Sequence, residues 1–317
     1  MSANAAARDR LVGLVCAVLT LLTWSGFILL TRLGVRSTMT PPDLIALRFA
    51  IAGTVMLPWL LRHGLGGLSW PRAAVLALLA GPGFAVPAFY GFINAPASHG
   101  AGLMPGTLPI WTVLLAALVA GERLTRLKSA GVMLTIGGIM MITGPHVVDA
   151  KAGVLLTDLL FPAASLNWAL YTVLARRWSV APLQSAAIVF VLSGVVCVPI
   201  YLAVWGPRLL AAPLDDLIVQ GVYQGLVATI VSLLFYMRAV RALGAGPTTL
   251  ITAAVPGMVT LAGIPLLGEV PSPSAIAGIL LVTAGVVVTV VSTNPQRGSQ
   301  AAAAGRRPRR AAARTDT

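Results

Sequence analysis

Apolar runs of about twenty residues follow one another along this chain, separated by short joins rich in proline, glycine and charged residues. Ten can be marked: Leu11 to Gly34, Asp43 to Leu61, Arg72 to Asn94, His99 to Ala120, Leu127 to Gly144, Gly153 to Ala175, Leu183 to Val204, Leu217 to Ala239, Gly246 to Gly268 and Ser274 to Ser292. Each has the length an α-helix needs to cross about 30 Å of hydrocarbon. The pattern predicts an all-α integral membrane protein of ten transmembrane helices, with joins too short to hold a soluble domain.

Composition excludes the soluble alternative. Of 317 residues 57% are hydrophobic and 10% charged, with a mean hydropathy of +0.90, where a soluble chain carries roughly 25% charge. The first run follows Arg8 and Arg10, as in a secretory signal, but it is too long and no Ala-x-Ala pattern follows, so it reads as a retained helix. Cys16 and Cys197 lie in different apolar runs. They are too few for a disulfide framework or a metal site and read as small buried hydrophobes.

Lysine and arginine set the orientation, because cytoplasmic joins accumulate them. With the N-terminus inside, 17 basic residues fall on the cytoplasmic side, six of them tail arginines, against four outside (Arg32, Arg36, Lys151 and Arg208) and one, Arg48, within a run. Both termini are therefore expected in the cytoplasm of a multi-pass plasma (inner) membrane protein. This bias accounts for most of the net charge of +13, so nucleic acid is not an expected partner. The Ala/Arg-rich tail is expected to be disordered and to meet anionic lipid.

Sliding the chain by 147 residues brings Pro109 onto Pro256, Gly121 onto Gly268, Glu122 onto Glu269, Gly131 onto Gly278 and Gly138 onto Gly285. Tyr90 meets Tyr236 at 146, and Trp24 meets Trp168 and Arg32 meets Arg176 at 144. The chain is a duplicated unit of about five helices. Because five is odd, the second copy enters the membrane from the opposite side, giving two inverted five-helix repeats with a shared site near the midplane. The expected organisation is an N-terminal cytoplasmic segment (1–10), a first repeat (11–145), a second (146–292) and a basic tail (293–317).

The residues that mark this duplication also carry a family resemblance. Trp24-Ser25, Leu47-Arg48-Phe49, Leu108-Pro109-Ile110-Trp111 running to Gly121-Glu122-Arg123-Leu124, Trp168-Ala169-Leu170-Tyr171, and Val255-Pro256 running to Leu267-Gly268-Glu269 together resemble the EamA-type transporters of the drug/metabolite transporter superfamily. The resemblance spans roughly Leu11 to Ser292. It implies two EamA repeats and the export or exchange of amino acids, other metabolites or toxic compounds across a bacterial inner membrane; it does not carry a substrate with it.

Substrate-binding candidates follow from depth and chemistry. Pro109 and Pro256 fall near the centres of their runs, where a proline frees a carbonyl that must meet protein or a wet cavity; Trp111 shares the Pro109 motif. Trp24, Asn167, Trp168 and Tyr171 offer flat apolar faces with hydrogen-bonding edges, suited to small amphipathic metabolites, although ordinary packing explains each aromatic taken alone. Arg48 is costly within a span; it pairs either with a substrate anion or with bundle carbonyls or Asp158. Tyr90 and Tyr236 fall on opposite sides of the midplane and are candidate gates. Glu122 and Glu269, at run ends, are read as structural groups facing the starts of the following helices, and Gly131 and Gly278 as close helix contacts.

A membrane-embedded lipid-modifying enzyme and a channel are the competing classes. The enzyme needs clustered acid, base or metal groups, yet His63, His99 and His146 lie in or beside separate joins; a channel needs a continuous polar pore, and none is evident. No catalytic residue, metal or cofactor is expected. The partners expected are a small-molecule substrate, the lipid bilayer and, in a homodimer, a second copy of the chain. With no Asp or Glu near the midplane, transport is expected to run on the substrate's own gradient, Asp158 being the acid nearest to contradicting this.

Overall fold

The computed structural model describes residues 3–120, 125–148 and 152–292, and these are helices joined by short turns. In chain order they are α1 (Ala3–Arg36), α2 (Pro41–His63), α3 (Trp70–Ala80), α4 (Pro82–Gly91), α5 (Ala97–Ala120), α6 (Arg126–Val148), α7 (Ala152–Arg177), α8 (Pro182–Trp205), α9 (Leu214–Val222), a π-helical stretch Tyr223–Val231, α10 (Ser232–Leu243), α11 (Ala245–Thr252), α12 (Val255–Leu267) and α13 (Pro273–Ser292). Among the described residues nine helices, counting broken ones as single spans, are long and apolar enough to cross a membrane. The 24-residue α5 carries no Asp, Glu, Lys or Arg and is as apolar as several of these spans.

Three expected helices are interrupted. Gly81-Pro82 separates α3 from α4, since Pro82 has no N–H to continue the ladder. The eighth span passes through the π-helical stretch before resuming as α10. The ninth breaks after α11, so Pro256 opens α12, whereas Pro109 lies inside an unbroken α5. Large apolar side chains such as Leu61, Leu78, Leu118, Val195, Leu261 and Leu280 remain exposed, the surface a bundle presents to lipid rather than water.

The two halves pack crosswise. In the first half α1 lies against α10 and α12; in the second its counterpart α7 lies against α4 and α5. The remaining counterparts meet directly, α2 on α8 and α6 on α13. Glycines set both seams. A Cβ on Gly138 would stand 2.5 Å from the Gly278 carbonyl oxygen, and one on Gly285 would stand 2.6 Å from that of Gly131. Gly53 likewise meets the Phe190 carbonyl and Gly194 that of Phe49, each at 2.9 Å. In both seams the contact partner rises in number on one helix as it falls on the other, so the paired helices run antiparallel. The second seam also exposes an element of the duplication that the offsets above miss: Phe49 and Gly53 match Phe190 and Gly194 at 141 residues.

Candidate functional site

Aromatic rings from both halves form a band made of two groups of contacts that share α1. Trp24 of α1 stacks on Tyr236 of α10 with centroids 5.5 Å apart. Trp168 of α7 contacts Tyr171 at 5.2 Å and Phe84 of α4 at 5.3 Å. Phe84 leads to Phe27 of α1 at 6.3 Å, and Phe27 to Phe89 at 5.8 Å. Trp24, Phe84, Trp168, Tyr171 and Tyr236 each keep partial exposure. Two polar groups here are fixed: the Tyr171 hydroxyl lies 2.9 Å from the Ser185 hydroxyl, and the Asn167 amide donates to the Ala163 carbonyl at 2.9 Å. Gly83 lets Asn167 in, because a Cβ there would come within 2.8 Å of its Oδ1.

Other sequence candidates stand apart from this band. Trp111 donates its indole N–H to the Pro162 carbonyl at 3.0 Å, tying α5 to α7. Tyr90 is half-buried on α4 and stacks on no ring among the described residues. Pro256 is buried and Pro109 half-buried.

Arg48 is enclosed, with 7% exposure. Its guanidinium lies 5.3 Å from the Phe27 ring centroid and 6.0 Å from that of Phe190, and donates to Gln224 Oε1 at 3.5 Å. The Gln224 amide donates to Thr31 Oγ1 at 3.0 Å and to Gln220 Oε1 at 3.3 Å, and Gln220 donates to the Leu30 carbonyl at 2.8 Å. Pairing of Arg48 with Asp158 is not found. The Asp158 carboxylate, 1% exposed, meets His99 Nδ1 at 2.9 Å instead, because α5 rather than α2 runs beside this part of α7. Sequence reasoning missed this pair, the ring of Phe84 and the Gln220/Gln224 pair. Two amides one helical turn apart in an apolar run were the available signal for the last.

At the Arg36 end of α1, Glu269 gathers three segments. Its Oε1 accepts from Arg32 Nε at 2.7 Å, and its Oε2 accepts the Ala97 N–H at 2.7 Å. Arg32 also donates to the Phe92 carbonyl, and Arg36 to the Leu267 carbonyl at 2.9 Å. The sequence placed Glu269 before the start of the following helix, here α13; the backbone it caps is instead the start of α5. Gly268, left-handed at φ 65°, turns the chain across the bundle toward α5. Glu122 lies outside the described residues. Arg176, the repeat counterpart of Arg32, is exposed and has no acidic partner among the described residues.

The EamA-like transporter family matches residues 11–144 and again 155–291, so two copies of one unit fill most of the chain. The chain belongs to that family. An uncharacterized protein of Pseudomonas aeruginosa is 30% identical over 87% of this EamA chain and 93% of its own length. A probable terminal-alkyne amino-acid exporter of Streptantibioticus cattleyicolor is 26% identical over 86% of this chain and 91% of its own. An uncharacterized transporter of Bacillus subtilis, YcxC, is 28% identical over 44% of this chain and 46% of its own. A protein of known crystal structure shares the fold with a TM-score of 0.59 at 21% identity, over 90% of this chain and 99% of that one. The family and these relatives' names identify a transporter rather than an enzyme.

Proposed function

We propose that this EamA transporter exports small amphipathic metabolites from the cytoplasm by alternating access, with α5 as the tenth crossing and the repeats inverted across the inner membrane. The crosswise pairing of the two halves carries the reading. The main helix contacts of one half have counterparts in the other, so exchanging the conformations of the halves opens the opposite face while the aromatic band stays at their shared boundary. The Glu269 cluster closes one end, taken as the outer one from the arginine and lysine distribution. The relative named as an amino-acid exporter supports efflux.

Carrier behaviour is tested in proteoliposomes. A trans load of unlabelled substrate is expected to accelerate uptake of labelled substrate, and flux is expected to saturate; unsaturable flux without counterflow overturns the proposal in favour of a channel. Single cysteines beside Glu122 and Glu269, in a chain lacking Cys16 and Cys197, should react from the cytoplasm and from outside respectively. Reaction from one face refutes inversion. Tyr90 and Tyr236 act as gates of the two halves, and replacement of either by Phe or Ala is expected to change transport with folded yield intact. Loss of yield alone reduces them to packing residues. An imposed pH gradient is expected to drive no accumulation by itself, since the one acid deep in α7, Asp158, is engaged by His99.

A further inference from the structure

We propose that Arg48 receives the anionic group of the transported molecule, and that this molecule is a carboxylate with a flat apolar body rather than a zwitterion. The inference rests on the transporter reading and names its substrate class. A guanidinium offers five N–H donors, and among the described residues that of Arg48 meets a single acceptor, Gln224 Oε1, at the long distance of 3.5 Å. No carboxylate among the described residues pairs with it. A charge held inside a membrane bundle without a counter-ion is costly, so a function must retain it.

The fold itself does not require the charge. Arg48 lies one residue before Phe49 in the seam between α2 and α8, and the matching residue before Phe190 is Val189. Val189 is 3% exposed, so an aliphatic side chain fills the equivalent place in the other half. The cation is present in one of two structurally matched positions, which separates it from the packing both share.

What surrounds Arg48 is built as a binding site. Gln224, fully buried, is locked by Thr31 and Gln220, and it lies in the π-helical stretch Tyr223–Val231, a geometry concentrated at functional sites. Phe27, under the guanidinium, continues through Phe84 to Trp168, so an anion held at Arg48 lays an attached ring along an aromatic track.

Among the described residues the same region offers no carboxylate to an ammonium group. The described acids are engaged or placed elsewhere: Asp9 on Arg238, Asp43 on Tyr201, Asp158 on His99, Asp216 on Thr38, Glu269 on Arg32, and Asp215 exposed in the first turn of α9. A zwitterion bound at Arg48 would carry its second charge into low dielectric unpaired, whereas a simple carboxylate leaves none over.

Three indole probes that differ in charge test this on the purified full-length protein: indole-3-acetate, tryptamine and tryptophan. Heat-unfolding midpoints are expected to rise with indole-3-acetate concentration, with affinity at least about tenfold above either other probe. Arg48→Gln is expected to weaken indole-3-acetate binding about tenfold to a hundredfold, the worth of a charge-assisted pair, while Arg48→Lys keeps the anion preference. Equal stabilisation by tryptophan, or unchanged anion binding in Arg48→Gln, overturns the proposal. Should Arg48→Gln fail to fold, the three-probe comparison on the unsubstituted protein decides alone. Counterflow of tryptophan matching that of indole-3-acetate would sink this inference and leave the carrier reading standing.

Discussion

Glu269→Gln is expected to loosen the Arg36 end of the bundle and to lower stability by about 3 kcal/mol, the low end of the cost of breaking one partner of an enclosed ion pair. The side chains involved are shielded, at 11% exposure for Arg32 and 15% for Glu269, so a lone Arg32 charge is poorly hydrated after the substitution. The carboxylate does more than neutralise. It caps the first N–H of α5 while Arg32 holds the Phe92 carbonyl just upstream, so its removal releases the α4–α5 turn and the α12 end from α1 together. The double variant Arg32→Gln, Glu269→Gln should be less damaged than the sum of the two singles, because it leaves no unpaired charge. Heat unfolding gives the stability, and labelling of a cysteine placed at Pro96 gives the opening, expected to quicken in the variant. Strictly additive effects, with no change in labelling, would mean that the cluster is decorative.

The repeat explains how much of this arrangement could be read in advance. Gly131, Gly138, Gly278 and Gly285 were legible because special residues at a fixed offset stand out from an aliphatic background. Trp24 and Trp168 stood out for the same reason, and the structure places both in ring contacts. The partners across the bundle were not legible. Offset comparison finds equivalent positions, but contacts join non-equivalent ones: Trp24 meets Tyr236 rather than Trp168, and Glu269 meets α1 and α5 rather than its own next helix. His99 was misjudged because the His–Asp pair is 59 residues apart in sequence and only the docking of α5 on α7 brings it together. The π-helical stretch left no mark either, since Tyr223–Val231 reads as one more apolar segment. Periodicity reports the face a helix buries and not the hydrogen-bond pitch it adopts.

The seam between α6 and α13 gives the other large expected effect. An exposed Gly→Ala change within a helix ordinarily gains up to about 1 kcal/mol, and Gly144, where an added methyl would meet nothing within 4 Å, should follow that rule. Gly138 should reverse it. A methyl there would stand 2.5 Å from the Gly278 carbonyl oxygen and 2.7 Å from the Val282 backbone nitrogen, and backbone atoms in a packed helix cannot turn aside as a side chain can. The helices must separate, which forfeits the contacts Gly131 and Gly285 make farther along. Overpacking of this kind costs about 1–3 kcal/mol, enough to outweigh the propensity gain, and Gly138→Leu should abolish folded yield. Because Gly278 faces the same contact from the other side, its substitution after Gly138→Ala should cost less than it does alone. Parallel expression of Gly138→Ala and Gly144→Ala, scored by monodisperse yield and unfolding temperature, decides the matter. Equal tolerance at the two positions would mean that α6 and α13 are not held at backbone contact, and the antiparallel seam on which the inverted reading leans would have to be given up.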